Sequence, residues 1–136
     1  MYDNAVLKYQ QVQAATATPG EILLALYDGL FRFLRGAKLC FENKEPGRAR
    51  ELLSKSHAIL SELTIALDYA QDPVLCGQLD SIYSLCTGHL MQANMKADPS
   101  LIDEILRVLT PLKEAWAIAV PEAARELASA SSRPAR

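Results

Sequence analysis

Residues 18–34 read TPGEILLALYDGLFRFL, and the spacing within this stretch decides the fold class. Thr18-Pro19-Gly20-Glu21 has the form of a capping box, with a hydroxyl at the N-cap, proline first in the helix and glutamate third. Behind it Ile22, Leu26, Leu30, Phe33, Ala37 and Cys40 recur in steps of three or four, which is one face of an α-helix. Asp28 falls nearly opposite, with Arg32 one turn on as its expected partner. Gly29 sits on one shoulder of the strip, near Ala25 and Gly36. Small residues there let a neighbouring helix come close, which offsets the roughly 1 kcal/mol that a helical glycine costs. The other shoulder carries more apolar surface than a bundle helix needs. Leu24, Tyr27, Phe31 and Leu34 widen the apolar arc to roughly 200°, where little over 100° suffices. Either the N-terminal arm or the C-terminal tail covers this second strip or it forms a groove for a partner helix; we expect the groove.

The same grammar continues along the chain. Asp72-Pro73 and Asp98-Pro99 repeat the cap-plus-proline signal, and Glu45-Pro46 is a poorer cap. Leu52, Ser56, Leu60, Leu63 and Leu67 form a second stripe. Leu75, Leu79, Ile82, Cys86, Leu90 and Ala93 form a third, and Ile102, Ile105, Leu109, Leu112, Trp116 and Ala119 a fourth. The expected fold is all-α: an antiparallel four-helix bundle over residues 18–122, with helices at about 19–43, 46–71, 73–96 and 99–120. Pro111 should kink the last of these. Residues 1–17 carry Tyr2 and Tyr9 but no stripe, so they read as a mobile N-terminal arm lying over the groove. Residues 123–136 read as a short C-terminal tail, disordered at its end.

Composition narrows the function. A chain of 136 residues can bury a real core without metal or disulfides. A net charge of −2 and a pI near 5.7 leave no general basic field for nucleic acid or anionic lipid. The three cysteines, Cys40, Cys76 and Cys86, are odd in number and follow no stretch resembling a signal peptide, which suggests a reducing, cytoplasmic setting. ILLAL is too short a run for stable insertion into a membrane.

Catalytic and metal constellations are thin. Neither His57 nor His89 follows a glutamate by three residues, as a diiron bundle requires. Cys86 and His89 could touch one metal from one helix, but two ligands are too few. There is no glycine-rich phosphate loop and no nucleophile elbow. The expectation is no enzyme and no cofactor. Met91 and Met95 fall outside the third stripe, and methionine suits surfaces that accept varied apolar partners. His57 lies at the edge of the second stripe, where a half-exposed filler or a groove-bordering residue fits equally.

Read in order, these blocks resemble the flagellin-specific export chaperones of the FliS family over nearly the whole chain. The resemblance rests on Tyr9, Thr16-Ala17-Thr18-Pro19, Glu21-Ile22-Leu23 and Leu26-Tyr27-Asp28-Gly29. It continues through Leu53-Ser54-Lys55, Ile59-Leu60, Glu62-Leu63 and Leu67-Asp68. Ile82-Tyr83, Leu90, Ala93-Asn94 and Asp98 follow, then Leu109, Leu112 and Ala115-Trp116. The chain departs from the family pattern at Asp72–Gly77, at His89, at Ala14 and at Pro111. The resemblance implies a cytoplasmic bundle that binds the disordered C-terminal segment of flagellin, one client per chaperone. It would prevent premature polymerisation and deliver the client to the flagellar export gate. The candidate client contacts are Tyr9, Leu24, Tyr27, Phe31, His57, Tyr83, Met91, Asn94 and Met95. The competing reading is a structural or oligomerising bundle that serves as an adaptor for another helical partner.

Overall fold

Three of four helix starts are closed by the side chain that precedes the proline. Thr18 Oγ1 accepts from the Glu21 amide at 3.2 Å, Asp72 Oδ1 from Leu75 at 3.0 Å, and Asp98 Oδ1 from Ser100 at 2.9 Å. Glu45 makes no such bond. The computed structural model describes residues 17–132, and within them the helices are α1 (Pro19–Glu42), α2 (Pro46–Ile65), α3 (Pro73–Lys96) and α4 (Pro99–Ser131). The links are short, and two of them turn through left-handed residues, Lys44 at φ 58° and Ala97 at φ 50°.

Two helix ends differ from expectation. α2 stops at Ile65 rather than running to residue 71, because Asp68 Oδ1 takes the Ala70 amide at 3.1 Å and holds a local turn instead. α4 runs on to Ser131, through both Pro111 and Pro121, where an end near residue 120 and a loose tail were expected. Both prolines are exposed, so water can satisfy the carbonyls that they leave unbonded. The stretch after Pro121, EAARELASA, is rich in strong helix formers. The arm at residues 1–16 lies outside the described residues.

The helices form a closed ring in which each packs on two neighbours: α1 on α2 and α4, α3 on α2 and α4. Lys38 meets Asp103 at 2.9 Å and Asp28 meets Lys113 at 3.3 Å, so α1 and α4 run antiparallel. His89 to Glu104 at 2.9 Å sets α3 against α4 in the same sense. The Lys113 contact replaces the expected Asp28–Arg32 pair; Arg32 instead lies 5.5 Å from the Phe33 ring. The close α1–α2 approach follows the small-residue shoulder. A Cβ built on Gly29 would stand 3.4 Å from Ile59, and one on Gly36 would stand 3.1 Å from Leu52.

The core is centred elsewhere on α1 than the first stripe placed it. Tyr27, Leu30, Phe31, Leu34 and Ala37 are buried, whereas Ile22 is 38% exposed and Phe33 and Cys40 are half-buried. The second strip is therefore core, and the helix is rotated toward it. α1 touches both ring neighbours and also reaches diagonally across to α3, so it needs a wider buried arc than a helix packed on one partner. α2 and α3 shift in the same way, burying Ala49, Leu53, Cys76 and Tyr83 in place of Leu52, Leu75 and Ile82.

Candidate functional site

The diagonal contact is a hydrogen bond between the hydroxyls of Tyr27 and Tyr83, 2.7 Å apart inside the core. Burial pushes both phenols above their ordinary range, Tyr83 the further, and holds both neutral. Cys86 beside them is pushed up to about 11 by burial alone. The buried Nε1 of Trp116 has no hydrogen-bond partner; it lies near the Tyr27 hydroxyl without reaching bonding geometry. Tyr27, Tyr83 and Cys86 are neutral at physiological pH and almost wholly buried, which suits a structural lock.

Above this lock the bundle opens. A cavity of about 280 Å³ lies at the end where α1 starts and α2 finishes, with Tyr83, Trp116, Leu26, Leu63 and Leu79 among its walls. Next to it, a trough of about 640 Å³ separates the first turns of α1 from the end of α4. Gly20 and Leu24 line one side, and Val120, Ala124 and Leu127 the other. Pro19 belongs to both openings. A Cβ on Gly20 would fall 2.6 Å from Val120, so glycine is what lets α4 cross close enough to form the trough's floor.

A second groove follows the seam between α2 and α3. It holds a hollow of about 450 Å³ walled by His57, Leu60, Thr64, Ile65, Ser84 and Thr87. A smaller hollow of about 200 Å³ continues it past Arg50, Leu53, His57, Met91 and Asn94. Thr64 and Thr87 bond back to Leu60 and Tyr83 within their own helices, so part of this wall's polarity is already used.

Against the expected contacts, the structure divides the set. His57, Met91 and Asn94 come together in the α2–α3 groove. Leu24 stands apart in the α1–α4 trough. Met95 is exposed one turn beyond Met91. Tyr27, Phe31 and Tyr83 cannot meet a partner directly, or can do so only as a cavity wall in the case of Tyr83, because they are at most 2% exposed. Phe31 is further covered by Lys113, 4.7 Å above its ring. Tyr9 lies outside the described residues. Reasoning from sequence missed Val120, Ala124 and Leu127. They continue the fourth stripe from Trp116 in helical steps, past the end near residue 120 expected for the last helix.

The family described as flagellar protein FliS matches residues 2–123. This chain belongs to the FliS family. The flagellar secretion chaperone FliS of Bacillus subtilis (strain 168) is 34% identical over 117 residues, covering 86% of each chain. FliSB of Pseudomonas aeruginosa is 31% identical over 83% of this chain and 93% of its own. FliS of Salmonella typhimurium is 30% identical over 90% of this chain and 96% of its own. A solved bacterial flagellar chaperone superposes with a TM-score of 0.72 at 21% identity, over 88% of this chain and 97% of that one, which supports the fold. FliS relatives are named as chaperones and not as enzymes. Among the described residues no group of three or more His, Cys, Asp or Glu could hold a metal, and no helix is long and apolar enough to cross a membrane.

Proposed function

We propose that this FliS-family chaperone captures the disordered C-terminal segment of flagellin in the cytoplasm, one client per chaperone. It keeps the segment from polymerising early and presents it to the export gate. The reading is carried by the pair of apolar openings that meet at Pro19. A disordered segment that becomes helical on binding loses chain entropy and needs continuous apolar surface on its host in return. The trough at Leu24 and Leu127 offers that surface along a helix, and the cavity over Tyr83 and Trp116 receives a single large side chain at its end. The groove at His57, Met91 and Asn94 extends the track to the other side of the ring for a client that wraps the bundle.

Size exclusion of a mixture with flagellin tests the reading. A one-to-one complex is expected, and it should weaken at least tenfold with Leu24→Asp while helicity stays intact, because that side chain is only half-buried. A mixture that elutes as two separate proteins would remove the flagellin assignment.

A further inference from the structure

The tyrosine lock holds one hydrogen more than it can use. Three groups meet there: the buried indole N–H of Trp116 and the hydroxyls of Tyr27 and Tyr83. Each carries a hydrogen to donate, yet three groups in a row make at most two hydrogen bonds among themselves. Among the described residues the two hydroxyls have no further hydrogen-bond partner, so one donor is left over. The direction of the row decides where it falls. If Trp116 donates to Tyr27 and Tyr27 to Tyr83, both links are used and the spare hydrogen sits on Tyr83. If Tyr83 donates to Tyr27 instead, the spare hydrogen sits on Tyr27, which is 0% exposed and no part of the cavity wall. A buried donor without an acceptor is costly, so the first direction wins. Tyr83 does wall the cavity, and there the spare hydrogen can be met from outside.

The remaining walls restrict what can meet it. Leu26, Leu63 and Leu79 line the space of about 280 Å³ with hydrocarbon, which suits an apolar stem. Asp68 and Asp72 are exposed and form its rim. Each spends one oxygen locally, Asp68 on the Ala70 amide and Asp72 on the Leu75 amide, and keeps the other to accept an N–H. Two carboxylates at the mouth oppose the entry of a third. A wholly aliphatic side chain suits the walls but seals the Tyr83 hydroxyl away from any acceptor. A neutral amide on a hydrocarbon stem satisfies all three conditions: its carbonyl accepts, its NH2 suits an acidic rim, and it brings no charge.

We propose, resting on the flagellin reading above, that the Tyr83 hydroxyl donates into this cavity and selects the side chain that enters it. The occupant is a glutamine or asparagine of the captured segment, preferred over aliphatic and acidic side chains. Trp116 and Tyr27 act as positioning residues, because their two links turn the Tyr83 hydrogen outward. An entering amide completes the row, so capture of the right segment and full bonding of the lock become one event. An aliphatic occupant would bury the donor unpaired, which is how a site built for a polar group rejects an analogue that lacks it.

Trp116 is the only tryptophan of the chain and a wall of the cavity, so its indole N–H signal in heteronuclear NMR reports what enters. The probe is isobutyramide, set against isobutyrate, which has the same carbon skeleton but ends in a carboxylate. Isobutyramide should shift the signal with a Kd in roughly the millimolar range, and isobutyrate should bind at least about tenfold more weakly. Tyr83→Phe should weaken isobutyramide binding about tenfold, the loss of one hydrogen bond. Tyr27→Phe breaks the same tyrosine bond but keeps the donor, and should weaken it about threefold or less. Flagellin titrated by calorimetry should follow the same order. Equal losses in the two variants would make the effect structural and overturn the inference, as would isobutyrate binding as tightly as isobutyramide, or no shift with either. If flagellin binds Tyr83→Phe as tightly as the wild type, the client does not use the cavity, and the inference fails while the flagellin reading stands. If flagellin does not bind the wild type at all, that reading fails, and isobutyramide still decides whether the cavity selects an amide.

Discussion

α1 and α3 share one feature and differ in its fate. Both carry more apolar surface than a single packing stripe requires. On α1 the surplus, Tyr27, Phe31 and Leu34, turns inward and becomes the centre of the core. On α3 the surplus, Val74, Leu85 and Met95, stays in water. The distinguishing signal is what lies opposite. α1 has Asp28, Arg32 and Arg35 to fix which side faces solvent, so every large apolar residue away from them can be buried. α3 has no charged row, and nothing in its own sequence prevents either side from facing out. Width of an apolar arc therefore measures how many neighbours a helix can serve; the position of its charges decides how many lie within the same chain.

The largest expected effect breaks the comparison if it fails. Leu34→Asp puts a carboxylate at a position with 0% exposure and should cost several kcal/mol, a large part of the ~5–15 kcal/mol that holds a domain together. The same change at Leu85, half in water, should shift stability by no more than about 0.5 kcal/mol. Urea titration followed by circular dichroism compares the two. Equal losses would mean that α3 is packed where it is described as bare.

Much of this was legible beforehand. The caps at Thr18, Asp72 and Asp98 located three helix starts, and the three-and-four spacing with short links supplied four antiparallel helices. The close approach at Gly29 and Gly36 was legible as well, because glycine in a helix interior is costly and needs a reason. The rotation of α1 was not. A wheel weighs each apolar residue alike, and the diagonal bond from Tyr27 to Tyr83 exists only once α3 is in place. The far half of α4 was hidden for another reason: residues 123–136 end in small residues and read as a tail, although AARELASA within them is rich in strong helix formers.

The tyrosine pair gives an effect of middle size. Tyr27→Phe or Tyr83→Phe alone leaves one buried hydroxyl without its partner and should cost about 1–3 kcal/mol, whereas the double change should cost clearly less than the sum. The pair also sets an alkaline limit. Both phenols and the Cys86 thiol are raised by burial, so the unfolded chain loses these protons first. Their contribution is complete below the unfolded values, near 8.5 for the thiol and near 10 for the phenols, and falls as pH rises beyond them. Stability measured from pH 8 to 11 should therefore decline, and more gently in the double Phe variant. An identical decline in that variant would place the titrating groups elsewhere.

The smallest effect sharpens the contrast between the inner and outer helix faces by using glycine as the probe. Replacing a helix-interior glycine by alanine gains roughly 1 kcal/mol when the methyl has room, since alanine restricts the unfolded chain and favours the helix. At Gly88 the methyl meets nothing within 4 Å, so Gly88→Ala should raise monomer stability by about that amount. At Gly36 the methyl would stand 3.1 Å from Leu52 Cδ1, against the α1–α2 contact, and Leu52 must move a few tenths of an ångström to admit it. The intrinsic gain is then offset by lost packing, and Gly36→Ala should show no net stabilisation. Denaturant titration followed by circular dichroism reads both changes. If Gly36→Ala stabilises as much as Gly88→Ala, the small-residue shoulder of α1 is not a packing constraint. If Gly88→Ala fails to stabilise, the outer face of α3 is already covered within the chain.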